Sequence, residues 1–176
     1  MIYIVVALKS EAQAFVDFYK LKREKLGSYS SYYNEKLRLI ITGVGVQNAR
    51  LGTQTLINHF DITDADTYFN IGICGAKKEY PIASLLQIGS INYKEQEYIF
   101  EPTLKQITCL DEPASTQQYQ IVDMESFGFY DAVIHNPAIK KFAIYKLVSD
   151  HFEPQNVTKE KTKMLIFNTL KEGKIL

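Results

Sequence analysis

The chain is short of the residues that staple or metallate small proteins. It has two cysteines, Cys74 and Cys109, with no CxxC spacing and no nearby Cys/His cluster. A disulfide framework and a zinc site are therefore not expected, and a reducing cytoplasm is the expected compartment. The three histidines, His59, His135 and His151, are scattered and make no ligand motif. Excess charge is also absent: Lys plus Arg equal Asp plus Glu at 20 each. No basic stripe stands out, which argues against nucleic acid as a partner. No apolar run is long enough to span a bilayer, so no membrane partner is expected. The opening run 1–8 lacks a basic flank and is cut short by Lys9, Ser10 and Glu11, unlike a signal peptide. No repeat, low-complexity tract or interdomain linker is visible.

What remains is a chain of 176 residues, 46% of them hydrophobic, read as one domain over 1–176. Residues 2–8 form an apolar, β-branched run that fits a strand buried on both faces. Ser10-Glu11-Ala12-Gln13 has the capping-box pattern, so a helix is expected to start at Ser10. Residues 29–33 and 36–42 read as a hairpin turning at Asn34-Glu35. Thr42-Gly43-Val44-Gly45 leads into a helix carrying Ala49, Thr53, Leu56, Ile57 and Phe60 at helical spacing. A strand over 66–71 ends in the glycine segment Gly72 to Ala76. Leu85 to Tyr93 reads as a strand interrupted by Gly89. The stretch 95–118 has no clear pattern. A short strand over 119–123 precedes a helix from about Glu125. Phe142 to Val148 is a strong strand, and 158–171 a final helix. This alternation predicts a three-layer α/β/α fold around a mixed, mostly parallel twisted sheet.

Three acids follow strands directly: Glu11, Glu125 and Asp150. In open α/β sheets ligands collect outside the carboxyl ends of strands, so these acids are candidates for one pocket. Each also has a plain structural use. Glu11 and Glu125 suit the first turn of a helix, and Asp150 suits a turn. Gly43-x-Gly45 and Gly72-x-x-Gly75 likewise follow strands, where glycine lets the backbone approach a ligand. Neither is a nucleotide fingerprint: Asn48 stands where GxGxxG needs its third glycine, and no GxxxxGK[ST] exists.

These segments resemble, in order along most of the chain, those of the nucleoside phosphorylase and nucleosidase family. Ala7-Leu8-Lys9-Ser10-Glu11 resembles the opening strand and its catalytic glutamate. Thr42-Gly43-Val44-Gly45-Val46-Gln47-Asn48-Ala49 is similar to the family's S-G-I-G-x-x-N-A segment. Asn70-Ile71-Gly72-Ile73-Cys74-Gly75-Ala76 resembles its N-x-G-x-A-G-G loop, and Ile88-Gly89-Ser90-Ile91 its V-G-D-I/V step. Val122-Asp123-Met124-Glu125-Ser126 and Val148-Ser149-Asp150 resemble the ribose-binding V-x-M-E-[AS] and the I-S-D that presents the acid.

The resemblance implies cleavage of the N-glycosidic bond of a purine nucleoside through an oxocarbenium-like sugar. It implies Asp150 as the proton donor to the base, Glu125 as the holder of the ribose hydroxyls, and Glu11 as the group that activates water. Met124 is then expected against the sugar. Gly43, Gly72, Cys74, Gly75, Asp123, Asp111 and Pro113 complete the expected substrate site. No metal or cofactor is implied, and Cys74 reads as a packing residue. A homo-oligomer, most simply a dimer, is implied as well. The stretch between Ile91 and Met124 is shorter than the family's, and Pro113 stands where its base-stacking aromatic is expected. Family phosphorylases clamp phosphate with arginine, whose planar fork suits that anion. Here Arg23, Arg38 and Arg50 are the only arginines, and none follows the first strand. Hydrolysis is therefore expected, with phosphorolysis or nucleoside binding without turnover as the alternatives.

Overall fold

The computed structural model describes residues 1–116 and 118–175. Its elements are β1 (Ile2–Val6), α1 (Lys9–Tyr19), β2 (Lys22–Leu26), β3 (Tyr29–Tyr33), β4 (Leu37–Ile41), α2 (Val46–His59), β5 (Thr67–Ala76), β6 (Leu85–Tyr93), β7 (Gln96–Ile99), β8 (Lys105–Cys109), β9 (Ile121–Asp123), α3 (Ser126–Ile134), β10 (Phe142–Asp150) and α4 (Lys159–Lys171). All ten strands belong to one sheet. β1 lies between β4 and β5, parallel to both. That placement explains its unbroken apolar run, because a strand with neighbours on both edges and helices over both faces has no wet side.

Alternate residues of β1 enter two separate cores. Tyr3 and Val5 join Leu56 and Ile57 of α2 and Phe129 of α3. Ile4 and Val6 join Ala12 and Phe15 of α1 and Ile166 and Leu170 of α4. This is the period-two alternation of a strand applied to two apolar layers. Phe15 is fully buried, so truncation to Ala is expected to cost about 3–5 kcal/mol.

The sheet is not mostly parallel, as the sequence suggested: five pairings are parallel and five antiparallel. Its far half also closes on itself. β5 pairs with β10, β10 with β6, β6 with β8, β8 with β9, and β9 again with β5. β6 passes through Gly89 rather than stopping there, and its register against β8 shifts between Ile88 and Ser90. At that bulge the Gly89 carbonyl accepts from the amides of Phe100 and Glu101. A Cβ on Gly89 would lie 1.9 Å from the Glu101 carbonyl oxygen, so only glycine fits.

Several boundaries moved for identifiable reasons. Ser10 does not cap α1; Leu8 holds the cap position, and Gln13 bonds Asp17 instead. The segment Gly72–Ala76 is not a loop but the second half of β5, extended by its ladder with β10. The unassigned stretch 95–118 holds β7 and β8, and the polar strand β2 also escaped the pattern. No helix among the described residues is long and apolar enough to cross a membrane.

Candidate active site

Glu11, Glu125 and Asp150 line one cavity of about 270 Å³. Each arrives by its own route. Glu11 sits in the first turn of α1, just beyond β1, and is almost completely buried. Its Oε2 accepts from the amides of Ala7 at 2.9 Å and Leu8 at 2.8 Å, and its Oε1 accepts from the amide of Ile73 at 3.0 Å. One carboxylate thus caps its own helix and ties it to β5. The close approach depends on Gly72, where a Cβ would stand 2.9 Å from Oε1 of Glu11.

Glu125 occupies the cap position of α3 but does not cap it. That work falls to Asp123, whose carboxylate accepts from the Ser126 amide at 2.8 Å and the Ser126 hydroxyl at 2.6 Å. Freed from its own helix, Glu125 crosses to the glycine turn before α2 and accepts from the Gly45 amide at 3.1 Å. Asp150 ends β10. Its Oδ2 accepts from the Ser149 hydroxyl at 2.7 Å and its Oδ1 from the Glu153 amide at 2.8 Å. The structural uses anticipated for Glu11 and Asp150 are therefore real, and they coexist with exposure to the shared cavity.

Beneath the acids lies Lys146 of β10, which sequence reasoning missed. It is 1% exposed, and its Nζ is 2.7 Å from Oδ2 of the equally buried Asp123. A lone lysine inside the apolar run Phe142–Val148 was the available signal, since such a run marks a strand buried on both faces. Burial opposes its charge, but Asp123, Glu125 and Glu11 outweigh that and hold its pKa above the usual value. Burial pushes Glu11 up, against the bonds from Leu8 and Ile73 and the charge of Lys146. Burial likewise pushes Glu125 up, to about 7, with Lys146 opposing and Asp123 and Glu11 adding to the rise. The cavity floor thus holds carboxyls whose proton affinity is raised by desolvation and restrained by one cation.

The other expected site residues divide. Met124, Cys74, Gly75 and Pro113 line the cavity. The Cys74 thiol is buried and its pKa is pushed up, which keeps it protonated and fits a packing residue. Gly72 lies behind Glu11 rather than on the wall. Asp123 borders the cavity, yet its oxygens are committed to Lys146 and the start of α3. Gly43 lines a neighbouring cavity instead. Asp111 is exposed and turns outward, to the Tyr93 hydroxyl at 2.9 Å and Lys94 at 3.4 Å. It follows the end of β8, an element the sequence did not reveal. Leu8, Val44, Ser149 and Val157 also line the cavity and were not singled out beforehand.

The chain has the fold of solved nucleosidases. No family model matches the sequence, and no curated protein matches it. Among solved structures it is similar to the 5'-methylthioadenosine/S-adenosylhomocysteine nucleosidase from Neisseria meningitidis in complex with methylthio-immucillin-A. The TM-score is 0.73 at 15% identity, covering 97% of this chain and 98% of that one. The futalosine hydrolase of Helicobacter pylori gives a TM-score of 0.76 at 14% identity, covering 97% and 95%. The 5'-methylthioadenosine nucleosidase of Arabidopsis thaliana gives 0.74 at 16% identity, covering 97% and 94%.

Proposed function

We propose that this protein hydrolyses the N-glycosidic bond of a purine nucleoside. The observation that carries the reading is the convergence of Glu11, Glu125 and Asp150, from three separate strand ends, on one cavity. Glu125 binds the ribose hydroxyls and faces the positive charge that develops on the sugar, while Met124 packs against the ring. Asp150 delivers a proton to the base as the bond from C1' to nitrogen breaks. Glu11 takes a proton from the water whose oxygen bonds to C1'. Its two oxygens are fixed by three backbone amides, so little reorganisation is needed at the moment of reaction. The fold shared with solved nucleosidases supports the same reading.

Water is favoured as the nucleophile because no arginine lines the cavity among the described residues. Arg38 pairs with Glu24 at 2.7 Å and Arg50 with Asp131 at 2.9 Å. The direct test is a panel of purine nucleosides incubated with and without inorganic phosphate and scored for free base. The expected product is the free sugar, formed at the same rate without phosphate. A sugar 1-phosphate formed only with phosphate present would move the reaction to phosphorolysis. Asp150→Asn is expected to lower base release about 10²–10⁴-fold; undiminished release would remove Asp150 as the acid.

A further inference from the structure

A second cavity, of about 640 Å³, adjoins the first and shares Ala7, Leu8, Val44 and Val157 with it. The two are opposite in character. The first is walled by acids, among them Glu11, Glu112, Asp123, Glu125 and Asp150. The second has no acid in its wall among the described residues. It has two lysines, Lys9 and Lys159, and a set of hydroxyls from Ser10, Ser28, Tyr29, Ser30 and Thr158. Thr42 and Thr162 also line it, with hydroxyls that already donate to backbone carbonyls. Two lysines and several hydroxyl donors, with no carboxylate from the lining residues beside them, can receive an anion.

The position indicates which part of the substrate meets it. On the proposed reading, the base lies at Asp150 and the ribose hydroxyls at Glu125. Neither residue borders the second cavity, nor does Glu11 or Met124. An anion there is therefore removed from the reacting C1' and from the base. The one remaining branch of a nucleoside is its 5' carbon. Resting on the nucleosidase reading, we infer that the substrate carries an anionic group, phosphate or carboxylate, on C5', and that Lys9 and Lys159 bind it. A free phosphate acting as nucleophile would share the same chemistry, but it would have to sit beside C1', within the acid-walled cavity.

The test compares kcat/KM for adenosine, 5'-methylthioadenosine, adenosine 5'-monophosphate and adenosine 5'-carboxylate, and for the matching inosine compounds. Adenosine and inosine are also run with added inorganic phosphate. The expected result is a preference of at least tenfold for the 5'-anionic compounds, weakening as ionic strength rises. The double variant Lys9→Ala/Lys159→Ala should reduce that preference about three- to tenfold, as expected for two partly exposed charge contacts. Both lysines are exposed, so folding should survive the change. Equal or better cleavage of the uncharged nucleosides would overturn the inference and leave the nucleosidase reading intact. Acceleration of adenosine or inosine cleavage by inorganic phosphate, with a sugar 1-phosphate as product, would overturn the hydrolytic reading on which the inference rests. Release of base from none of the compounds would overturn both readings together.

Discussion

Lys146→Met tests the electrostatic design of the site. The variant keeps a long side chain in the strand but removes the only cation that the described residues seat among Glu11, Asp123 and Glu125. Taking away one partner of a buried ion pair typically costs about 3–5 kcal/mol. For a chain of this length each kcal/mol is worth about 2–4 °C in melting temperature, so a drop of about 6–20 °C is expected at neutral pH. The loss should depend on pH in a definite direction. Glu11 and Glu125 have folded pKa values raised above their unfolded ones. Their favourable contribution is full below the ordinary glutamate value and is lost as pH rises through the folded values. Without Lys146 those folded values move higher still, so the variant should be least impaired near pH 5 and most impaired near pH 8. Melting curves of both proteins from pH 5 to 8 measure this. Adding Asp123→Asn should recover part of the loss, because it neutralises the carboxylate left nearest the vacated ammonium position. A single variant as stable as the parent at pH 8, with no slope against pH, would refute the account of a cation holding these acids in place.

Three further outcomes are expected. Glu125→Gln should weaken turnover of a ribonucleoside more than of its 2'-deoxy counterpart, since one contact is already missing from the latter; equal losses would remove Glu125 from the ribose hydroxyls. Hydroxyl donors favour charged Glu125, so a non-hydrolysable nucleoside analogue should bind more tightly as pH rises from 6 to 8, as isothermal titration calorimetry can measure; binding that weakens over that range would contradict this. Gly72→Ala places a methyl against Oε1 of Glu11 and should lower kcat more than tenfold while KM changes little, a split that steady-state kinetics would detect.

The acids were legible in the sequence because each follows an apolar strand directly, and strand ends are where a sheet presents side chains to a ligand. Two of the three strands that escaped notice face water for most of their length; the third, Lys105–Cys109, opens on two exposed residues and buries only Ile107 and Cys109. Lys22–Leu26 and Gln96–Ile99 are largely exposed along their length, so they lack the apolar run or strict alternation that marks a strand. The glycine segment misled in the other direction. Gly72 and Gly75 suggested a loop, whereas both lie in β5, and Gly72 thins it so that Glu11 can come close; a Cβ there would lie 2.9 Å from Oε1 of Glu11. Asp123 and Lys146 are half-hidden for a related reason. Their meaning lies in each other, and residues 23 positions apart on different strands carry no local pattern. Gly43 and Asp111 shared segments with true wall residues, and adjacency along the chain did not become adjacency in space.

The closure of the strands has a consequence for how this molecule comes into being. β10 is the tenth strand to be synthesised, yet it stands between β5 and β6. Until it arrives, both of those strands present an unpaired edge, and an unpaired edge is a template for pairing with another chain. Asp150 and Lys146 ride on the same strand. Insertion of this segment therefore closes the ring, hides two adhesive edges and delivers the cavity's Asp150 and the buried cation in one event. A nascent chain stalled before residue 142 would lack Asp150 and Lys146 and be prone to aggregate for the same reason, with the long wait for a distant partner that slows folding of such topologies.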